Sequence, residues 1–152
     1  MPFPDAVVFI KLIIMVYFLA GVRGNKRDEK GYVRRVMDRY LVDAINPTEA
    51  ETKIVKELAS VYEGISIEKL EMKETMEKTS PNDDGYFYYE VSIAFLSLDE
   101  KTGKEKSTSR KMYVLASGFD AAKSMVDEYT KGFAGSFTIE SIRLTKILDL
   151  VQ

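Results

Sequence analysis

Between Arg23 and Arg39 the chain sets seven basic residues, Arg23, Lys26, Arg27, Lys30, Arg34, Arg35 and Arg39, against three acids, Asp28, Glu29 and Asp38, a local charge of +4. A second basic stretch, Asp99 to Lys111, sets Lys101, Lys104, Lys106, Arg110 and Lys111 against Asp99, Glu100 and Glu105, a local +2. Tyr32, Tyr86, Tyr88 and Tyr113 are expected on or near the outward side of the strands that carry these stretches. Cations neutralise phosphates and aromatic rings stack on bases, so the combination suits single-stranded nucleic acid. The region between them is the reverse: Asp43 to Asp84 holds eleven acids and five bases, a local −6. The net charge of −2 therefore hides a segregated layout. The plainer reading of the same residues is that Lys and Arg protect strand edges from unwanted pairing and that Tyr favours strands. No RNA-recognition, KH or zinc-knuckle motif accompanies them.

Other chemistry is largely excluded. The chain has no Cys and no His, which removes disulfides, thiol nucleophiles, thiolate zinc sites and imidazole catalysis. It contains no P-loop, G-x-S-x-G or dinucleotide fingerprint. Asp83-Asp84 reads as a solvated linker pair. Glu68 and Glu140 are a candidate carboxylate pair for acid–base work, but both fall on the polar side of a repeated strand. The chain reads as non-enzymatic, without metal or cofactor.

Several elements must position the basic residues. Tyr17 to Val22 is the end of a first strand. Arg23 to Lys30, with Gly24, Asn25 and Gly31, reads as a turn. Tyr32 to Ala44 alternates, with Val36, Tyr40, Val42 and Ala44 on one side and Val33, Arg35, Met37, Arg39 and Leu41 on the other. Asn46-Pro47-Thr48-Glu49 is a helix start, with Asn46 as cap and Pro47 in the first helical position. Ala50, Ile54, Leu58, Val61 and Tyr62 follow at helical spacing, and Gly64 is placed to end the helix. A strand runs from Ile65 to about Met76, and Glu77 to Gly85 is a linker.

The plan then returns. Gly85 to Leu98 is a strand with Phe87, Tyr89, Val91, Ile93 and Phe95 on one face. Asp99 to Gly103 is a hairpin turn, and Ser107 to Ala116 the return strand. Ser117 and Asp120 stand at capping-box spacing before a helix whose buried stripe is Ala122, Val126 or Met125, Tyr129 and Phe133. Gly132 and Gly135 end it, and Phe137 to Leu150 is a final strand. Ile65-Ser66-Ile67-Glu68 matches Phe137-Thr138-Ile139-Glu140, and from Val42 onward the halves align at an offset of 72. Tyr17 and Tyr86 match at an offset of 69.

The expected fold is α+β: a duplicated β-β-α-β unit with pseudo-twofold symmetry, mostly antiparallel sheet and two helices packed on it. The expected boundaries are an arm at residues 1–14, a first unit at 15–79, a linker at 80–85 and a second unit at 86–152. Together they make one compact domain, in keeping with a chain of 152 residues.

The apolar run from Ala6 to Val22 is broken only by Lys11. It reads as an added arm or an early start before Met15, as a buried extension of the first strand, or as an export or anchor segment. Against the last, Asp5 and two prolines precede the run and no base does.

Tyr40-Leu41-Val42-Asp43-Ala44, a short turn, Thr48-Glu49-Ala50-Glu51, and downstream Leu96-Ser97-Leu98-Asp99-Glu100-Lys101-Thr102-Gly103 resemble the domain-of-unknown-function family numbered 4494. The resemblance covers about Met15 to Leu150. It departs at Leu19-Ala20-Gly21, where more polar residues are expected. It implies a small cytoplasmic protein of gut-associated bacteria or their phages, with no assigned activity and no catalytic residues to transfer.

The expected function is single-stranded DNA or RNA binding. Arg23, Lys26, Arg27, Arg34, Arg35, Arg39, Lys104, Lys106, Arg110 and Lys111 would hold phosphates, and Tyr32 and Tyr113 would stack. The alternative is a protein–protein or assembly module, pairing with itself or a partner through strand edges and the arm. Membrane attachment through residues 6–22 is the disfavoured option.

Overall fold

The computed structural model describes residues 12–78, 87–133 and 135–152. They form β1 (Leu12–Arg27), β2 (Val33–Val42), α1 (Pro47–Leu58), β3 (Glu63–Lys78), β4 (Phe87–Leu98), β5 (Glu105–Ala116), α2 (Phe119–Thr130), β6 (Ser136–Leu144) and β7 (Ile147–Val151). The class is α+β, as the sequence implies. The chain divides into two units. An α1 unit comprises Val16–Thr75 with Leu144–Gln152, and an α2 unit comprises Met76–Arg143 with the described residues before Val16. Among the described residues, no helix is long and apolar enough to cross a membrane.

In the α1 unit the strands lie in the order β3-β1-β2-β7. β1 and β2 are antiparallel from Phe18 opposite Val42 to Arg27 opposite Val33, and β7 joins β2 in parallel. Directly opposite residues share a face. Phe18, Ala20 and Val22 therefore lie beside Tyr40 and Val42 in the core, with Val36 and Ala44 at its margin, on the side that alternation assigns to them. α1 covers this face with Ala50, Ile54 and Leu58, four residues apart, and Tyr62 and Val151 complete the core. The helix starts where it does because the Asn46 Oδ1 accepts a hydrogen bond from the Glu49 N–H at 2.8 Å, with Pro47 immediately inside.

In the α2 unit the order is β6-β4-β5. β4 and β5 are antiparallel from Phe87 opposite Ala116 to Leu98 opposite Glu105. Tyr89, Val91 and Ile93 face Met112, Val114 and Ala116 in a core closed by Ala122, Met125 and Val126 of α2 and by Met76. At its margin Phe133 packs against Phe95, Tyr129 and Phe137, with ring centroids 4.8–6.0 Å apart.

The structure corrects several expectations. The stretch read as a turn at Arg23 to Lys30 is mostly strand, because β1 runs to Arg27 and only the residues around Asp28–Gly31 turn. Gly24 is not punctuation. It lies in mid-strand opposite Val36, where a Cβ would come within 2.9 Å of the Tyr62 Cβ. α1 ends at Leu58 rather than at Gly64, which instead takes a left-handed φ of 66° at the second residue of β3. Ser117 does not cap α2. Gly118 is the cap residue, and no side chain bonds to the first turn. The expected single strand from Phe137 to Leu150 breaks into β6 and β7, and β7 pairs with β2.

β3 also departs from strict alternation. Ile65, Ile67 and then Leu70 pack on the α1 core, and the slip falls where Lys69 takes a φ of 44°, which is rare outside glycine. Of the expected arm, residues 12–14 belong to β1. Residues 1–11 and Asp83-Asp84 lie outside the described residues.

Candidate functional site

The β1–β2 register decides which basic residues share a surface. Arg39 lies opposite Gly21, Arg23 opposite Met37, Arg35 opposite Asn25 and Arg27 opposite Val33. All four arginines therefore stand on the face turned away from α1. Lys26 and Arg34, opposite one another, fall on the α1 side. Among the described residues Arg27, Arg35 and Arg39 are exposed and have no ion-pair partner. The Arg23 Nε is 3.1 Å from the Glu68 Oε1 on β3. It makes no aligned hydrogen bond there, and both side chains are about two-fifths exposed, so the pair is a charge contact worth under about 1 kcal/mol.

The tip of this hairpin is ordered by Asp28. Its Oδ1 accepts from the Lys30 and Tyr32 N–H groups, each at 2.9 Å, while its own N–H donates to the Tyr32 carbonyl. Gly31 supplies the left-handed φ of 83° that this turn needs. Tyr32 is 67% exposed, and Val33 and Met37, between the arginines, are about half exposed. The face thus sets guanidinium groups beside the apolar side chains of Val33 and Met37.

The other expected contacts separate. Lys104 lies in the β4–β5 turn; Lys106 and Arg110 fall on the α2 side of β5 and Lys111 on the opposite side, since they differ in parity. These four belong to the α2 unit. Tyr113, named as a stacking residue, is 5% exposed, and Tyr88 is 6% exposed. The outward placement expected for both is corrected, since neither offers a ring to solvent. Tyr86 lies outside the described residues.

A buried network at the edge of the α1 core was not anticipated. The Tyr62 hydroxyl donates to the Asp38 Oδ2 at 2.5 Å and lies 2.6 Å from the Tyr40 hydroxyl, which then donates to it. Burial first, then the bonds to Asp38 and Tyr40, push the Tyr62 phenol above its ordinary value. The Lys26 ammonium sits 3.6 Å from Asp38 and 5.5 Å from the centre of the Tyr62 ring. Lys26 is thus held by an acid and a ring rather than displayed with the arginines. The local sequence signal was Gly24, whose missing side chain lets Tyr62 lie against β1.

The recurring glutamates are occupied separately. Glu68 faces Arg23, and the Glu140 Oε1 accepts from the Ser109 hydroxyl at 2.9 Å. Among the described residues no group of three acids is placed to hold a metal ion.

No curated protein and no solved structure matches the chain. Residues 16–152 match the family described as "Domain of unknown function (DUF4494)". The match spans both units from β1 to β7, and the chain belongs to the DUF4494 family.

Proposed function

We propose that the chain is a non-enzymatic binding protein that holds single-stranded DNA or RNA on the open face of the β1–β2 hairpin. The observation that supports this reading is the gathering of Arg23, Arg27, Arg35 and Arg39 on one face, with Tyr32 exposed in the turn of the same hairpin. Arginine suits phosphate because its planar fork gives two parallel hydrogen bonds, and an open strand face leaves room for bases to lie between. Lys104, Lys106, Arg110 and Lys111 add general electrostatic attraction from the α2 unit.

Duplication of a β-β-α-β unit goes with this proposal. It is supported by element order and by matching buried positions, Ile65, Ile67 and Leu70 in one unit and Phe137, Ile139 and Ile142 in the other. A cytoplasmic setting in bacteria or their phages is the part of the reading that rests on the sequence resemblance.

The test is fluorescence anisotropy with labelled single-stranded DNA, single-stranded RNA and duplex DNA between about 50 and 200 mM salt. We expect salt-sensitive binding that favours single strands. Changing Arg27, Arg35 and Arg39 together to Ala should flatten the log–log salt slope by about 2, at about 0.7 for each lost phosphate contact. Absence of binding at the lowest salt overturns the proposal.

A second reading, pairing with a protein partner along a strand edge, is favoured by Leu148, exposed on the outer strand β7. A mass that rises with concentration and falls on changing Leu148 to Lys would support it.

A further inference from the structure

The four arginines are not merely on one face; they are in sequence along it. Numbered by β2, the levels run 39, 37, 35 and 33, occupied by Arg39, Arg23, Arg35 and Arg27 in turn. Each step is two residues, about 7 Å along the strand, and each crosses to the other strand, about 4.8 Å away. No level holds two arginines. The residue across from each is uncharged: Gly21, Met37, Asn25 or Val33. The row is therefore a zigzag of four cations about 20 Å long.

That pitch has a chemical counterpart. An extended single strand separates its phosphates by about twice the ~3.4 Å rise of a stacked strand. Resting on the proposed nucleic-acid reading, we infer that the β1–β2 face is a ruler for an extended single strand, with one arginine to each of four consecutive phosphates. The half-exposed Met37 and Val33 stand on the same face, across from Arg23 and Arg27, and give unstacked bases an apolar surface to rest on. A duplex keeps its bases stacked inside and offers those side chains nothing. Among the described residues Arg23 is the one rung with an ion-pair partner, so Glu68 competes with the phosphate at that position.

The experiment uses the full chain and labelled oligothymidylates of two to eight nucleotides, with abasic strands and duplexes of equal length, over the same salt range. Affinity should climb steeply to four phosphates and flatten beyond. Arg27→Ala, Arg35→Ala and Arg39→Ala should each lower the salt slope by about 0.7, whereas Lys26→Ala and Arg34→Ala, on the other face, should leave it unchanged. Glu68→Gln should tighten binding several-fold by freeing Arg23. Abasic strands should keep the slope and lose affinity.

If single strands bind but Lys26→Ala and Arg34→Ala flatten the slope as much as the ladder variants, the ladder is wrong while nucleic-acid binding stands. The same follows if affinity keeps rising evenly to eight nucleotides. If duplexes bind as tightly as single strands, the ruler is also overturned. Failure of every strand to bind removes the nucleic-acid reading itself. Unchanged thermal melting of each variant separates these outcomes from misfolding.

Discussion

The two hairpins turn on an aspartate and a glycine alike and then diverge. Asp28 accepts from the Lys30 N–H in one, and Asp99 accepts from the Lys101 N–H at 2.9 Å in the other. Gly31 and Gly103 both take left-handed φ values, 83° and 69°. Beyond the turn, β1–β2 has four of its five arginines on one face and β4–β5 splits its bases between both. The first hairpin thereby acquires a charged face and the second only a charged tip. Two stretches with a similar excess of bases can differ in kind, because a strand sorts side chains by register and not by number. The helices differ too: α1 opens on a side-chain cap, whereas α2 opens on Gly118 without one.

The strongest way to test this comparison is through the cores. Ile54 of α1 is fully buried and Met125 of α2 almost so. Ile54→Ala and Met125→Ala should each cost about 2–5 kcal/mol, measured by urea unfolding. Equal costs would show that the units differ in surface chemistry and not in dependence on their helices.

Next in size is Tyr62→Phe, which removes the bond to Asp38 and the acceptor for Tyr40, with a cost of about 1–3 kcal/mol. It also carries a pH signature. The folded phenol is held above the value of about 10 that it has when unfolded, so its contribution is complete below pH 10 and is lost as pH rises beyond that. Unfolding followed from about pH 8 to 11 should show the loss in the parent chain and a flatter profile in Tyr62→Phe.

The smallest effect separates the caps. Asn46→Ala should cost about 1 kcal/mol, and Ser117→Ala less than about 0.5 kcal/mol, since only the first removes a capping bond. A loss at Ser117 equal to that at Asn46 would erase the difference drawn between the helices.

Legibility in the sequence followed the range of the interaction. The Asn46 cap involves neighbours three residues apart, and the alternation of β2 is a local pattern, so both were readable. Gly24 misled because its neighbours are charged and a glycine among charges resembles a turn. Its reason for being there is Tyr62, far along the chain. The Tyr62–Asp38 bond likewise joins residues 24 apart and has no signature in either segment. Tyr113 was misplaced because the strand face opposite a helix was taken to be solvent, whereas that ring is buried. The arginine face lay between these cases. Its residues were all named, but sorting them from Lys26 and Arg34 required the register of two strands.

The parallel pairing of β7 with β2 sets a timetable for synthesis. Roughly a hundred residues separate Val42 from Ile147, and at about 5–20 residues per second the ribosome needs roughly 5–20 s to cover that distance. During that interval β2 has an open edge and the α1 core lacks Val151, although β1, β2 and α1 have all emerged. The α1 unit thus waits for β7 long after its helix has emerged. A nascent chain halted before β7 presents a bare strand edge to whatever chaperone or neighbouring chain reaches it first.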